Sequence, residues 1–125
     1  MNAVHHESPE RRRDRRVAAF CAVELSSAAK PKRAGVTRDA CGRGLRVVTP
    51  SRFEVGDSLS LAVYMDGEEV RLSGRAVRVE ENGYDSDEPW RYRLSIALDD
   101  EIPARTLASA AESATRMRVA VGAQT

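Results

Sequence analysis

One stretch of the chain alternates apolar and polar residues with a strict period of two. Its apolar positions share one parity: Leu59, Leu61, Val63 and Met65. Such alternation is typical of a β-strand with one face in the core. Asp66-Gly67 follows directly, and Asp-Gly is a preferred dipeptide of tight hairpin turns. The sequence therefore predicts a long antiparallel hairpin, which in turn requires other strands to cover its apolar face.

Other segments supply those strands. Runs of β-type alternation occur at residues 17–25, 35–40, 45–49 and 90–98. On the return strand of the hairpin, the parity shifts so that Val77 and Val79 become the apolar positions, and the nearby Gly74 indicates a β-bulge. Trp90 and Tyr92 share the apolar parity of the last run, which predicts that both lie in the core. Six short antiparallel strands of this kind usually close into a barrel, which removes their exposed edges.

The hydrophobic period changes after Pro103. Apolar residues then recur every three or four positions: Leu107, Ala110, Ala111, Ala114, Met117 and Val121. This spacing predicts an amphipathic helix over about 103–121. The expected organisation is a flexible arm at 1–10 and a single domain at 11–121, with the barrel at about 16–99. The fold class is therefore mainly β, a six-stranded antiparallel barrel with a C-terminal α-helix.

Composition excludes several classes of protein. The chain has 125 residues, and no stretch approaches the roughly 20 apolar residues that a membrane helix needs. Its start has no apolar segment after a basic region, so no secretory signal is expected. Two cysteines are too few for a disulfide framework. We expect a reduced, cytoplasmic protein without membrane insertion, and the net charge of +1 argues against a nucleic acid polymer as partner.

Five arginines fall within residues 11–16, just before the first predicted strand. Three interpretations of this run are open. It can be a solvated basic tail, a non-specific nucleic-acid contact, or a clamp for phosphate or guanine. Arginine suits the third role because its planar fork can bond phosphate oxygens, or guanine O6 and N7, in a bidentate way.

A second segment, Asp39 to Gly44, has two interpretations. In one it is a β-turn whose glycines permit unusual backbone angles. In the other, Asp39 offers a carboxylate to the N–H donors of guanine or to an arginine, and Gly44 lets the backbone approach a ligand closely.

Other groups of residues are weaker candidates for a functional site. His5, His6, Cys21 and Cys41 include zinc-ligand types but lack paired ligand spacing, so no metal site is expected. A nucleophilic Cys41 would need a positioned base, so no enzyme is expected. The acidic stretch 80–88 is either a solvated loop or a surface for a partner.

Taken together, the two polar segments match a known pattern. Arg12 and Arg16 have the spacing RxxxR, and Asp39, Cys41 and Gly44 follow with the spacing DxCxxG. This order resembles the PilZ domain family, whose pattern is RxxxR followed by [D/N]xSxxG. The similarity continues through residues 55–57, 74–77 and 92–98. The chain departs from the pattern at Cys41, where the family has Ser, at Ser95, where it has Gly, and at Leu98, where Phe is common.

The resemblance implies a PilZ-type β-barrel that binds the bacterial messenger cyclic di-GMP and needs no other cofactor. Arg12 and Arg16 would grip phosphates and guanine edges of an intercalated ligand dimer, and Asp39, Cys41 and Gly44 would line its other face. The implied function is a stand-alone adaptor that signals to an unidentified protein controlling motility, adhesion or envelope behaviour. The alternative is a degenerate protein-interaction module on the same barrel that does not bind the nucleotide.

Overall fold

The structure, a computed structural model, describes residues 16–65, 67–112 and 114. Within these residues the chain forms seven strands and one helix. The strands are β1 (Val17–Ala18), β2 (Ala22–Ser26), β3 (Arg33–Cys41), β4 (Gly44–Thr49), β5 (Ser58–Met65), β6 (Glu68–Glu81) and β7 (Tyr92–Leu98). The helix, α1, covers residues 104–112. The predicted arm at 1–10, the arginines at 11–15, and Met117 and Val121 of the predicted helix lie outside the described residues.

Six of the strands close into an antiparallel barrel, which confirms the predicted fold class. The order around the barrel is β3–β2–β5–β6–β7–β4, and β4 pairs back onto β3. The short strand β1 is an addition at one rim, where it pairs with β3. The hairpin of β5 and β6 runs in continuous register from Ser58 opposite Arg75 to Met65 opposite Glu68. In its turn Gly67 has a φ of 81°, a left-handed conformation that glycine adopts without steric cost.

The barrel interior holds the apolar residues of the alternating strands. Fully buried members include Leu25, Leu45, Val47, Val63, Leu94 and Ile96. Two core residues come from connections between elements instead: Phe53 is 0% exposed and Ile102 is 1% exposed. Helix α1 adds Ala110 to the same cluster, and Leu107 packs against it. Within the described residues no helix is long and apolar enough to cross a membrane.

The prediction of one strand over 17–25 was wrong, because the structure divides it into β1 and β2. The cause is Thr37, a fully buried residue of β3. Its hydroxyl donates to the carbonyl oxygen of Ala19 at 2.5 Å and accepts from the backbone N–H of Cys21 at 2.9 Å. One additional residue in the connection at 19–21 shifts the pairing with β3, from Ala18 opposite Asp39 to Ala22 opposite Val36. The bend therefore satisfies the hydroxyl and turns β1 along the barrel rim.

The bulge on β6 lies at Val77 and not at Gly74. The register with β7 shifts between Ala76 and Arg78, which leaves Val77 unpaired and 52% exposed, whereas Ala76 is buried. Val77 is therefore not a core position. Gly74 has a different role, since a Cβ atom there would lie 2.3 Å from the carbonyl oxygen of Ala97 on β7. Glycine at this position permits the close approach of two strands.

The predicted strand over 90–98 begins later, at Tyr92. Trp90 precedes it and lines a cleft of about 460 Å³ formed by the loop between β6 and β7. Both Trp90 and Tyr92 are half-buried, so neither lies fully in the core as the parity predicts. The difference arises because Trp90 lies in the loop before β7, and Tyr92 is the first residue of that strand, at the end of the barrel.

Candidate functional site

The site is built on a β-bulge in β3. The register between β3 and β4 shifts between Thr37 and Asp39, so that Arg38 is the additional residue. Thr37 points into the barrel and is fully buried, whereas Asp39 lies opposite Arg46 on the outer face. A bulge re-aims the side chains that follow it. Here it places a carboxylate on the outside of the barrel, beside the residues that precede β1.

Two arginines surround the Asp39 carboxylate. Arg16 donates from Nη1 to Oδ1 at 2.6 Å, and Nη1 of Arg46 lies 3.8 Å from Oδ2. The Asp39 side chain is 24% exposed and that of Arg16 is 39% exposed. A partly exposed ion pair of this kind contributes only about 0.2–1 kcal/mol. The pair is therefore weak enough for a phosphate or a guanine edge to compete for either partner.

Cys41 and Gly44 complete the cluster. They pair with one another where β3 turns into β4. Cys41 is 8% exposed, yet it does not belong to the apolar core cluster. A Cβ atom on Gly44 would lie 3.4 Å from the Cys41 sulfur and 3.7 Å from Nη2 of Arg16. The bare backbone of Gly44 thus adjoins both the thiol and the guanidinium.

The turn that carries these residues is held by the chain after β7. The backbone N–H of Leu98 donates to the carbonyl of Arg43 at 2.9 Å, and that of Ile102 donates to the carbonyl of Gly42 at 2.7 Å. Because the buried Ile102 anchors the second of these bonds, the turn is fixed to the core. A site on a fixed turn loses less conformational freedom when a ligand binds.

The structure therefore brings together four of the five residues that the sequence predicts for the site: Arg16, Asp39, Cys41 and Gly44. Arg12 lies outside the described residues. Sequence reasoning missed Arg46, which shares the carboxylate of Asp39. Its only sequence signal is its outward parity on β4, and that parity becomes informative only once the bulge at Arg38 is known.

A second charged contact flanks the site. The Arg38 guanidinium donates several hydrogen bonds to the Glu88 carboxylate. Its Nε lies 3.0 Å from Oε1 and 2.9 Å from Oε2, and its Nη2 lies 2.5 Å from Oε1. The Arg38 guanidinium also lies 5.8 Å from the centre of the Phe20 ring. Hydrogen bonding to Arg38 lowers the pKa of Glu88, and the same bonds raise the pKa of Arg38. This fork fastens the acidic loop between β6 and β7 to the bulge beside Asp39.

The chemistry at the site is that of recognition. Arginine forks donate hydrogen bonds to anions, and the Asp39 carboxylate accepts them from N–H groups. Across residues 16–65, 67–112 and 114, no three His, Cys, Asp or Glu side chains converge in a group suited to a metal ion. The other cysteine, Cys21, is buried, and burial raises the pKa of its thiol, so it is protonated near neutral pH.

Solved structures share this fold. The chain resembles the PilZ domain of YcgR from Escherichia coli, solved with c-di-GMP, with a TM-score of 0.67, 16% identity and coverage of 92% of this chain and 99% of that chain. It resembles the PilZ domain of CeSA from a cellulose-synthesizing bacterium with a TM-score of 0.50, 21% identity, and coverage of 89% and 99%.

A third similar structure is the Bacillus subtilis inhibitor of motility MotI/DgrA. The TM-score is 0.58 and the sequence identity is 15%. The match covers 87% of this chain and 51% of MotI/DgrA, so this chain spans about half the length of that protein. No family model and no curated protein matches the sequence. At these identities the likeness establishes the fold.

Proposed function

We propose that this chain, which has the fold of a PilZ domain, is an adaptor that binds cyclic di-GMP on the outer face of its barrel. The observation that carries the proposal is the convergence of Arg16 with Asp39, Cys41 and Gly44, which lie 23 or more positions further along the chain. The cluster lies outside the apolar core, so packing of the core does not account for it. A ligand gives a reason for these residue types to meet there.

Each residue has a role that suits a guanine dinucleotide. Arg16, with Arg12 from the preceding segment, would contact phosphate oxygens and the O6 and N7 edge of guanine. Asp39 would accept hydrogen bonds from guanine N–H donors, because an ionised carboxylate is purely an acceptor. Gly44 has no side chain of its own to block a planar base that stacks beside the Arg16 guanidinium and the Cys41 thiol.

Cys41 sets the expected strength of binding. A thiol is a weaker hydrogen-bonding group than the hydroxyl that the resemblance implies at this position. One ordinary hydrogen bond contributes about 0.5–1.5 kcal/mol, which corresponds to roughly 2- to 12-fold in affinity. The charged contacts of the arginines contribute more than this single bond. We therefore expect binding that is weaker than with serine but not abolished.

The proposed output is a contact with another protein. The adaptor would act in the cytoplasm, without a catalytic step, and would signal to a partner that controls motility, adhesion or envelope behaviour. A motility role is supported by the similarity to the Bacillus subtilis inhibitor of motility. An alternative is a protein-interaction module that no longer binds the nucleotide. The thiol at Cys41, largely covered at 8% exposure, favours this second function.

Isothermal titration calorimetry with cyclic di-GMP distinguishes the two functions. For an adaptor, the wild-type protein binds with a dissociation constant in the micromolar range or below, and Arg16→Ala weakens binding at least about tenfold. The matched control is Arg71→Ala, which removes another exposed, ion-paired arginine from the same barrel. No heat with wild-type protein at high ligand concentration would reject the adaptor function.

A further inference from the structure

Two arginines on β6 lie on the same outer face as the site. Arg75 and Arg78 are both exposed, and among the described residues neither has an acidic side chain within ion-pair distance. Several other outward arginines of the barrel are paired, including Arg38, Arg71 and Arg93. Two unpaired positive charges close together on one sheet face attract anions.

The bulge at Val77 is what places both arginines on the outside. Arg75 lies opposite Ala97 and Arg78 lies opposite Ser95, while Ala76 faces the core. Side chains three apart on a regular strand would point to opposite faces. Because Val77 is the additional residue, Arg75 and Arg78 become neighbours on one face instead.

The pairing register connects these arginines to the site through two rows across the sheet. One row runs from Arg78 through Ser95 and Arg46 to Asp39, and the other from Arg75 through Ala97 and Gly44 to Cys41. Neighbouring strands are about 4.8 Å apart, so the backbone of β6 lies about 10 Å from that of β4. In these two rows, the strand between them, β7, contributes the small residues Ser95 and Ala97.

The outer face of the sheet at β4, β7 and β6 is thus a shallow surface with arginines along both of its edges. Arg16 and Arg46 stand on the side of β3 and β4, and Arg75 and Arg78 stand on β6. A ligand with one phosphate would need only the first edge. A ligand with two phosphates on opposite sides of a compact ring system would contact both edges, and a cyclic dinucleotide has this form.

We propose that Arg75 and Arg78 form a second phosphate-binding edge of the nucleotide site, which receives the phosphate that Arg16 does not reach. This assignment rests on the proposed function and adds β6 to the site. It also gives the bulge at Val77 a purpose, since a regular strand would turn one of the two charges away from the ligand.

The test is calorimetry with cyclic di-GMP on the double variant Arg75→Gln/Arg78→Gln. Its dissociation constant should rise at least about tenfold, since two charge-assisted contacts are lost. The matched control is Arg52→Gln/Arg71→Gln, which removes the same charge from two exposed arginines that pair elsewhere, and its affinity should stay within about twofold of wild type. Both doubles should melt close to wild type, because all four side chains are exposed.

The outcomes separate this inference from the proposed function. If wild type binds and both double variants bind equally well, the second edge is wrong and the adaptor function stands. If wild type gives no heat, the adaptor function fails and the second edge fails with it. The single variant Arg78→Lys adds a finer measurement, since it keeps the charge but loses the fork. An affinity between those of wild type and the double variant supports phosphate contact by the guanidinium, and an affinity equal to that of the control double overturns it for Arg78.

Discussion

Replacing Gly44 by alanine would add one methyl group to the outer face of β4, where the nucleotide is proposed to lie. The added Cβ would meet the Cys41 sulfur and the Ile96 carbonyl oxygen at 3.4 Å, and Nη2 of Arg16 at 3.7 Å. All three separations are ordinary van der Waals contacts. Gly44 also lies outside the left-handed region of φ, so alanine can adopt its backbone conformation. The folded apo protein should therefore accept the methyl group.

The expected effect on stability is small and favourable. Replacing a glycine whose conformation alanine tolerates stabilises a protein by about 0.4–1 kcal/mol, chiefly because the unfolded chain loses freedom. For a chain of this size 1 kcal/mol corresponds to about 4 °C in the melting midpoint. The midpoint of Gly44→Ala should thus be unchanged or several degrees higher. Cyclic di-GMP affinity should fall, because the methyl group occupies the surface on which a base would rest.

Gly74→Ala is the matched control, since Gly74 lies in the same sheet two strands away. Its Cβ would lie 2.3 Å from the carbonyl oxygen of Ala97, so β6 and β7 would have to separate. Overpacking of this kind costs about 1–3 kcal/mol. Differential scanning calorimetry should show a lower midpoint for Gly74→Ala but not for Gly44→Ala. An open site above Gly44 is refuted if Gly44→Ala melts as low as Gly74→Ala, or if it binds the nucleotide as tightly as wild type.

Three further predictions follow from the contacts around the bulge. Arg12→Ala or Arg16→Ala should remove most of the nucleotide affinity in calorimetry. For Arg16→Ala the apo stability should change by at most about 1 kcal/mol, because the Arg16 ion pair is partly exposed. Cys41→Ser should tighten cyclic di-GMP binding by up to about tenfold in parallel titrations at the same salt concentration. Because Arg38 lowers the pKa of Glu88, their pair stabilises the fold above the ordinary glutamate pKa of about 4.3. This stabilisation is lost as the pH falls through the pKa of Glu88 in the folded protein. Between about pH 6 and pH 3, the free energy of unfolding measured with urea should therefore fall less for Arg38→Gln than for wild type.

Each of these predictions has an outcome that contradicts it. A large loss of apo stability in Arg16→Ala would show that the arginine is structural. Unchanged or weaker binding by Cys41→Ser would show that the thiol serves packing or redox chemistry instead of a weakened ligand contact. Parallel pH profiles for wild type and Arg38→Gln would show that the fork to Glu88 adds nothing to the stability of the fold.

The strands of the barrel were predictable because their pattern is local. Alternation between Leu59 and Met65 requires one buried face, and Asp66-Gly67 specifies the turn, so the hairpin follows from nine consecutive residues. Phe53 and Ile102 lie in connections without periodicity, and no local pattern marks them as core. Their burial depends on which strands those connections cross, a property of the closed barrel.

The geometry of the site was predictable only in part. The spacing of Asp39, Cys41 and Gly44 is visible in the sequence, because all three lie on one hairpin. The partners Arg46 and Arg78 depend on strand register, which a single additional residue can shift by one position. Both bulges, at Arg38 and Val77, make such shifts, and neither contains the glycine that usually signals one. The outer face therefore becomes apparent only when the pairing is known.

The central claim is that cyclic di-GMP binds on the outer face formed by β3, β4, β7 and β6. Two-dimensional ¹H–¹⁵N NMR of the wild-type protein tests it most directly, because each backbone amide reports its own surroundings. Saturating nucleotide should shift the amides of residues 16–18, 39–46, 75–78 and 95–97, and leave those at the hairpin tip around Met65 unchanged. A spectrum without shifts, or with shifts confined to the cleft of residues 81–91, would contradict the account.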